Sequence, residues 1–162
     1  MSFTFRLKKE NFKFSCTHFT IFGPNEGEKM HGHNYHVQVD LQFNDISKTD
    51  GLAVDFNLIK PIIKQICDEL DEHILIPSSS PYVKIENTET QVNLGFNGKQ
   101  YSLPKEDCKL LPLLNISSEE LSRFMTERFL EECPKNIGLV KVEITIEETR
   151  GQGVTYSKDL TC

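Results

Sequence analysis

A chain of 162 residues, 38% hydrophobic and 26% charged, has the size and balance of one folded domain, and residues 1–162 are read as a single unit. Its formal net charge of −6, with Lys and Arg scattered, argues against a nucleic-acid stripe, and no apolar run approaches the ~20 residues of a membrane span. The five cysteines (16, 67, 108, 133 and 162) form no Cys-x-x-Cys pair, and the alternating start has no apolar leader core. The expectation is a cytoplasmic protein with reduced thiols and neither nucleic-acid nor membrane partners.

Strand alternation begins at once, with Phe3, Phe5 and Leu7 on one face, and resumes as Phe12, Phe14, Cys16 and His18. "FGPNEGEK" carries loop chemistry. From residue 33, His33, Tyr35, Val37, Val39, Leu41 and Phe43 share one face of a long half-buried strand. In "DFNLIKPIIKQICDELDEHIL", Leu58, Ile59, Ile62, Ile63, Ile66 and Leu70 recur at helical spacing, with Asp55 or Asn57 as cap and Pro61 near the first turn. Residues 77–112 read as a hairpin-like excursion around Asn97-Gly98. A second helix starts at Ser117 or Ser118, and Val140, Val142, Ile144 and Ile146 open the last pair of strands.

Chemistry concentrates in "NEGEKMHGHNYHVQV". On a strand His31 and His33 point to one side and His36 to the other, so the trio is a pair plus a bystander. Two imidazoles hold a catalytic zinc poorly, and His18, ending the neighbouring apolar alternation, is the third candidate. A strand histidine pair is also a common structural feature, so spacing alone leaves both readings open. Parity likewise places Glu148 on the apolar face of the last strand pair. There it is either solvated past the strand end or an anchor for a ligand's N–H groups.

"FSCTHF", "HGHNYHVQV", "LAVDFNLIK", "LDEHIL", "SSEELS" and "EET" occur in the order seen in the 6-pyruvoyl-tetrahydropterin synthase and 6-carboxytetrahydropterin synthase family, which the chain resembles over nearly its whole length. The resemblance implies an α+β tunnelling fold (T-fold) of order ββααββ. Its four-stranded antiparallel sheet would carry two helices on one face and an insertion at about 78–112. It further implies assembly into a homohexamer (a dimer of trimers) and Zn2+ held by His18, His31 and His33. The implied substrate is 7,8-dihydroneopterin triphosphate or a close relative, its pterin ring bound by Glu148 and Thr149 of "EET" with Ser118 and Glu119 of "SSEE".

The sequence departs from the family where the catalytic base should be. Cysteine-bearing members place that base as Cys-x5-His or Cys-x3-His before His-Gly-His; here those positions are Asn25 and Gly27. Cys16 has the parity of a buried thiol, and Glu26 fits the spacing less well than Glu28. Glu28, as Glu-x-x-His-Gly-His, resembles a subgroup in which glutamate replaces the cysteine and the substrate side chain is cut to give 6-hydroxymethyl-7,8-dihydropterin, the folate precursor. The Asp-His pair that assists proton transfer maps to Asp71 with either Glu72 or, after a slip of one residue, His73. The leading expectation is a zinc-dependent pterin lyase using Glu28, Asp71 and His73. Its alternatives are a 6-pyruvoyl- or 6-carboxytetrahydropterin synthase and a non-catalytic pterin binder.

Overall fold

The computed structural model describes residues 2–160; Cys162 lies outside them. The alternating start forms β1 (Phe3–Leu7) and β2 (Lys13–His18). Inside the segment expected to be plain loop, β3 (Ile21–Gly23) and β4 (Glu26–Gly27) make a minimal ladder. The long strand β5 (His31–Phe43) begins two residues before the expected start. β2 pairs with its first half, from His18↔His31 to Lys13↔His36, and β1 with its second, from Leu7↔Val39 to Phe3↔Phe43. The two short strands thus act as one interrupted strand.

α1 (Phe56–Leu70) is capped by Asp55, whose carboxylate accepts from Asn57 N at 2.8 Å. Pro61 is the sixth helical residue, a turn deeper than the spacing suggested, and it removes the bond that would reach the Asn57 carbonyl. Leu58 leaves the expected apolar stripe and is 52% exposed. β6 (His73–Pro77) follows, parallel to β2.

The excursion is a separate antiparallel sheet of β7 (Lys84–Asn87), β8 (Gln91–Phe96) and β9 (Lys99–Pro104). Its Asn97 (φ 50°) and Gly98 (φ 71°) are both left-handed, as a two-residue type I′ hairpin turn demands. β10 (Cys108–Leu111) then rejoins the main sheet, parallel to β6. α2 (Ser118–Glu132) starts from Ser117, whose side chain accepts from Glu120 N, and β11 (Leu139–Thr149) and β12 (Gln152–Asp159) close the chain.

The main sheet runs β10-β6-β2-β5-β11-β12, with β1 also on β5. The expected four-strand antiparallel frame, with β1 and β2 counted as one, is therefore present, and its β2 edge carries two further parallel strands. Ile59, Ile63, Ile66 and Leu70 of α1 and Leu121, Met125 and Phe129 of α2 share one buried cluster with Phe14, Tyr35, Val37, Val39, Val142 and Ile144. Each such side chain contributes about 1.5–3 kcal/mol by burial. Arg128 links the helices, bonding Glu69 Oε2 at 2.9 Å and Glu132 Oε1 at 2.7 Å. A second cluster joins Phe19, Ile21 and Ile76 to Val83, Val92, Leu94 and Phe96 of the excursion. Among the described residues no helix is long and apolar enough to cross a membrane.

Candidate active site

Cross-strand pairing of His18 with His31 puts both on one sheet face, and the period of two adds His33. The three offer nitrogens that all lie within 4.8 Å of one another, a set that could hold a metal ion. Two of the rings are oriented by carbonyls. His18 Nδ1 lies 2.9 Å from Ile116 O, and His31 Nδ1 lies 2.6 Å from Lys29 O. A carbonyl only accepts, so each Nδ1 carries the proton and each Nε2 is left as a bare lone pair. This is the arrangement of a metal-ligating histidine. His31 Nε2 faces His33 Nε2 at 2.9 Å, an approach of two imidazole nitrogens that a shared cation relieves. The donor set therefore fits a metal of the zinc type, which favours imidazole ligands and an open position. Burial of His18, which is 1% exposed, is the main cause of its lowered pKa and keeps the ring neutral.

Glu28 comes within reach of this cluster. Its Oε2 lies 3.9 Å from His31 Nε2 and accepts from Thr20 N at 3.1 Å. Partial burial pushes its pKa up, but the bonds from Thr20 and the nearby His31 and His18 outweigh this and leave it lowered, so Glu28 is ionised at neutral pH. Glu26 is exposed and sits opposite Gly23 in the β3–β4 ladder. The Cys16 thiol is pushed up to about 12, first by burial and then by Glu148 and Asp71, which makes it a poor base. His36 is exposed on the opposite face, paired with Lys13.

Glu148 occupies a bulge, since Glu147 pairs with Gly153 and Thr149 with Gln152, leaving residue 148 as the extra one. Its Oε1 accepts from the Tyr35 hydroxyl at 3.1 Å and lies 3.2 Å from His33 Nε2. A cavity of about 200 Å³ gathers His18, Thr20, Tyr35, Ser118, Glu119 and Glu148, with Gln152 and Gly153 from β12. The expected anchor residues Glu148, Ser118 and Glu119 are thus brought together beside the histidines. Thr149 is not: it is exposed, and its hydroxyl meets Gln152 Oε1 at 3.4 Å, because the residue after the bulge turns outward.

Asp71 and His73 are also placed apart. Asp71 ends α1 and accepts from Ser15 N at 2.6 Å, while His73 Nδ1 donates to Asp71 O at 2.6 Å. His73 and Glu72 line a different groove, of about 370 Å³, with Ser15, Thr17, Gly32 and Asn34 and touching His33. Among the described residues no hydrogen bond or ion pair joins Asp71 or His73 to the three histidines. Glu72 has φ 57°, so the register at the helix end is set by a left-handed residue that hands the chain to β6. Sequence reasoning missed two site residues. Tyr35 shares the parity of His31 and His33 and could have been found from it, whereas Thr20 reaches the site through its backbone and left no signal.

The sequence profile of the 6-pyruvoyl tetrahydropterin synthase family matches residues 6–159. A protein of Methanocaldococcus jannaschii, provisionally named 6-carboxy-5,6,7,8-tetrahydropterin synthase, is 33% identical over 151 residues, covering 91% of each chain. The solved 6-pyruvoyl tetrahydropterin synthase of Plasmodium vivax superposes with a TM-score of 0.92 at 27% identity, over 99% of each chain. That of Plasmodium falciparum gives 0.91 at 28%, over 98% of this chain and 99% of the other. Further structures of the P. vivax protein carry alanine or cysteine in place of a glutamate described as a catalytic residue. A profile match across nearly the whole chain, on the same architecture, is decisive: the chain belongs to the 6-pyruvoyl tetrahydropterin synthase family of pterin lyases.

Proposed function

We propose that the chain is a zinc-dependent lyase that cuts the side chain of 7,8-dihydroneopterin triphosphate, or of dihydroneopterin, to give 6-hydroxymethyl-7,8-dihydropterin for folate synthesis. The observation that carries this reading is Glu28 Oε2 standing 3.9 Å from His31 Nε2, with Asn25 and Gly27 at the positions where cysteine would act. Zinc held by His18, His31 and His33 would supply Lewis acidity that lowers the pKa of a substrate hydroxyl. Glu148, steadied by Tyr35, accepts the pterin N–H groups, with Ser118 and Glu119 beside it. Glu28 takes the C2′ hydroxyl proton as the C1′–C2′ bond breaks. A carbonyl forms on the departing fragment, and the bonding electron pair passes into the dihydropterin ring before C1′ is protonated. Asp71 and His73 are assigned to proton transfer, His73 from its separate groove, and Thr149 to substrate binding at the end of β11.

The competing product is 6-pyruvoyl- or 6-carboxytetrahydropterin, which the naming of the M. jannaschii relative favours. Incubation with each substrate followed by product mass separates the readings. 6-Hydroxymethyl-7,8-dihydropterin formed by the wild type and lost in Glu28→Gln supports the proposal. A pyruvoyl or carboxy product that survives Glu28→Gln sinks it. Metal analysis should find zinc in the purified protein and none in His31→Ala. The polar sheet face turned from the helices, with Asn34, His36, Gln38 and Thr145, and the edge strand β12 support assembly of copies by their sheet edges, proposed as a homohexamer. The described cysteines are all free thiols, which supports a cytoplasmic setting.

A further inference from the structure

The excursion contributes nothing to the cavity beside the histidines, yet its apolar face meets the segment that carries Glu28. Thr20 holds Glu28 at two points: Glu28 N donates to Thr20 O at 2.9 Å, and Thr20 N donates to Glu28 Oε2 at 3.1 Å. Thr20 lies between Phe19 and Ile21, which are both buried in the cluster that β8 completes with Val92, Leu94 and Phe96. Phe19 and Phe96 stack with ring centroids 5.4 Å apart and planes 22° from parallel.

The same Phe96 ring closes on Gly27. A Cβ at position 27 would lie 2.6 Å from Phe96 Cε1, 2.8 Å from Cζ and 2.9 Å from Thr20 O, distances that leave no room for a side chain. The residue immediately before Glu28 is therefore clamped between a buried aromatic ring and the backbone to which Glu28 itself is bonded. The local ladder is too small to supply this rigidity, since β3 and β4 share only the pairs Ile21↔Gly27 and Gly23↔Glu26. Glu28 cannot supply it either, because its side chain is 38% exposed.

We propose that Phe96 is a positioning residue for Glu28, and that the excursion serves as the backing of the base-bearing loop. This rests on the reading of Glu28 as the base. A proton-accepting group must be held within about 0.5 Å of its productive place, and a half-exposed glutamate just past a two-rung ladder is held through Thr20, whose neighbours Phe19 and Ile21 pack with Phe96. Without the ring, the void beside Gly27 lets the loop relax away from His31.

Phe96→Ala and Phe96→Leu, each made alone and in a Glu28→Gln background, test this through metal content, kcat and KM. The expected result for Phe96→Ala is a full metal complement, a KM within two-fold of wild type and a kcat at least ten-fold lower, with partial recovery in Phe96→Leu. In the Glu28→Gln background the same change should leave the residual rate within two-fold. Gly27→Ala, which presses on the ring from the other side, should lower kcat in the same way should Phe96→Ala fail to fold. An unchanged kcat in Phe96→Ala overturns the proposal, as does an equal loss in both backgrounds. Wild-type kcat in Glu28→Gln alone overturns the base assignment itself, a different and separately visible failure.

Discussion

The Tyr35 hydroxyl, on a side chain with no exposed surface, donates to Glu148 Oε1 at 3.1 Å, and the hydroxyl oxygen itself lies 3.2 Å from His18 Nε2. One O–H cannot donate to both. His18 Nε2 is a lone pair that either this hydroxyl or a metal can satisfy, so a metal on His18 leaves the proton to Glu148 alone.

Tyr35→Phe removes that donor while keeping the ring that stacks on Phe14 at 5.1 Å. The expected outcome is an unchanged metal content and a pterin affinity about ten-fold weaker, which is about 1.4 kcal/mol for one hydrogen bond to a carboxylate. Fluorescence titration with a pterin reads this directly. Undiminished affinity would show that Glu148 needs no support from Tyr35.

The buried His18 gives stability a pH dependence whose sign is fixed. Burial is the largest cause of its lowered pKa; the Ile116 carbonyl opposes it, and His31 and His33 add to it. Below the ordinary value of about 6.5 the unfolded chain binds a proton at this position that the folded chain refuses. Stability is therefore full above that pH and falls as pH drops toward the folded pKa. With metal chelated, urea midpoints at pH 7 and pH 5 should differ more in the wild type than in His18→Gln. Equal differences would remove His18 as the cause.

Glu72, at φ 57°, holds a left-handed backbone that costs an ordinary residue about 1 kcal/mol relative to glycine. Glu72→Gly should raise the urea midpoint by an amount equivalent to up to about 1 kcal/mol. A lowered midpoint would mean that its side chain holds the turn between α1 and β6.

Arg128 joins α1 to α2 through Glu69 and also bonds Glu132. The Glu69 pKa is lowered, chiefly by its hydrogen bond from Arg128. The pair's stabilisation is thus present above the ordinary carboxylate range and is lost as pH falls through the folded value. Arg128→Met should cost about 1 kcal/mol or less at pH 7, and less again in high salt or below pH 4. A loss that does not shrink with salt or acid would point to packing of the arginine stem instead.

Patterns of short period were legible in the sequence. Alternation from Phe12 to His18 and from His33 to Phe43 placed three imidazoles on one face, and the structure keeps that placement. Continuing Val142, Ile144 and Ile146 to Glu148 also led to the cavity, though through a bulge that alternation does not encode. What stayed hidden depends on contacts distant in sequence or made by backbone. The parallel pairing of β6 with β2 and β10 joins segments separated by whole elements, and Thr20 holds Glu28 with groups that every residue has. Thr149, which follows Glu148 directly, lies on the exposed side, as alternation from Ile146 and Glu148 requires.

The bulge at Glu148 has a consequence for the design of the last hairpin. Deleting residue 148 would let β11 and β12 zip in unbroken register from Lys141↔Asp159 to the turn, a more regular ribbon than the one observed. It would also withdraw the carboxylate from Tyr35 and His33. This hairpin is kept less perfect than its sequence neighbours would allow, and its defect is the part that faces the three histidines.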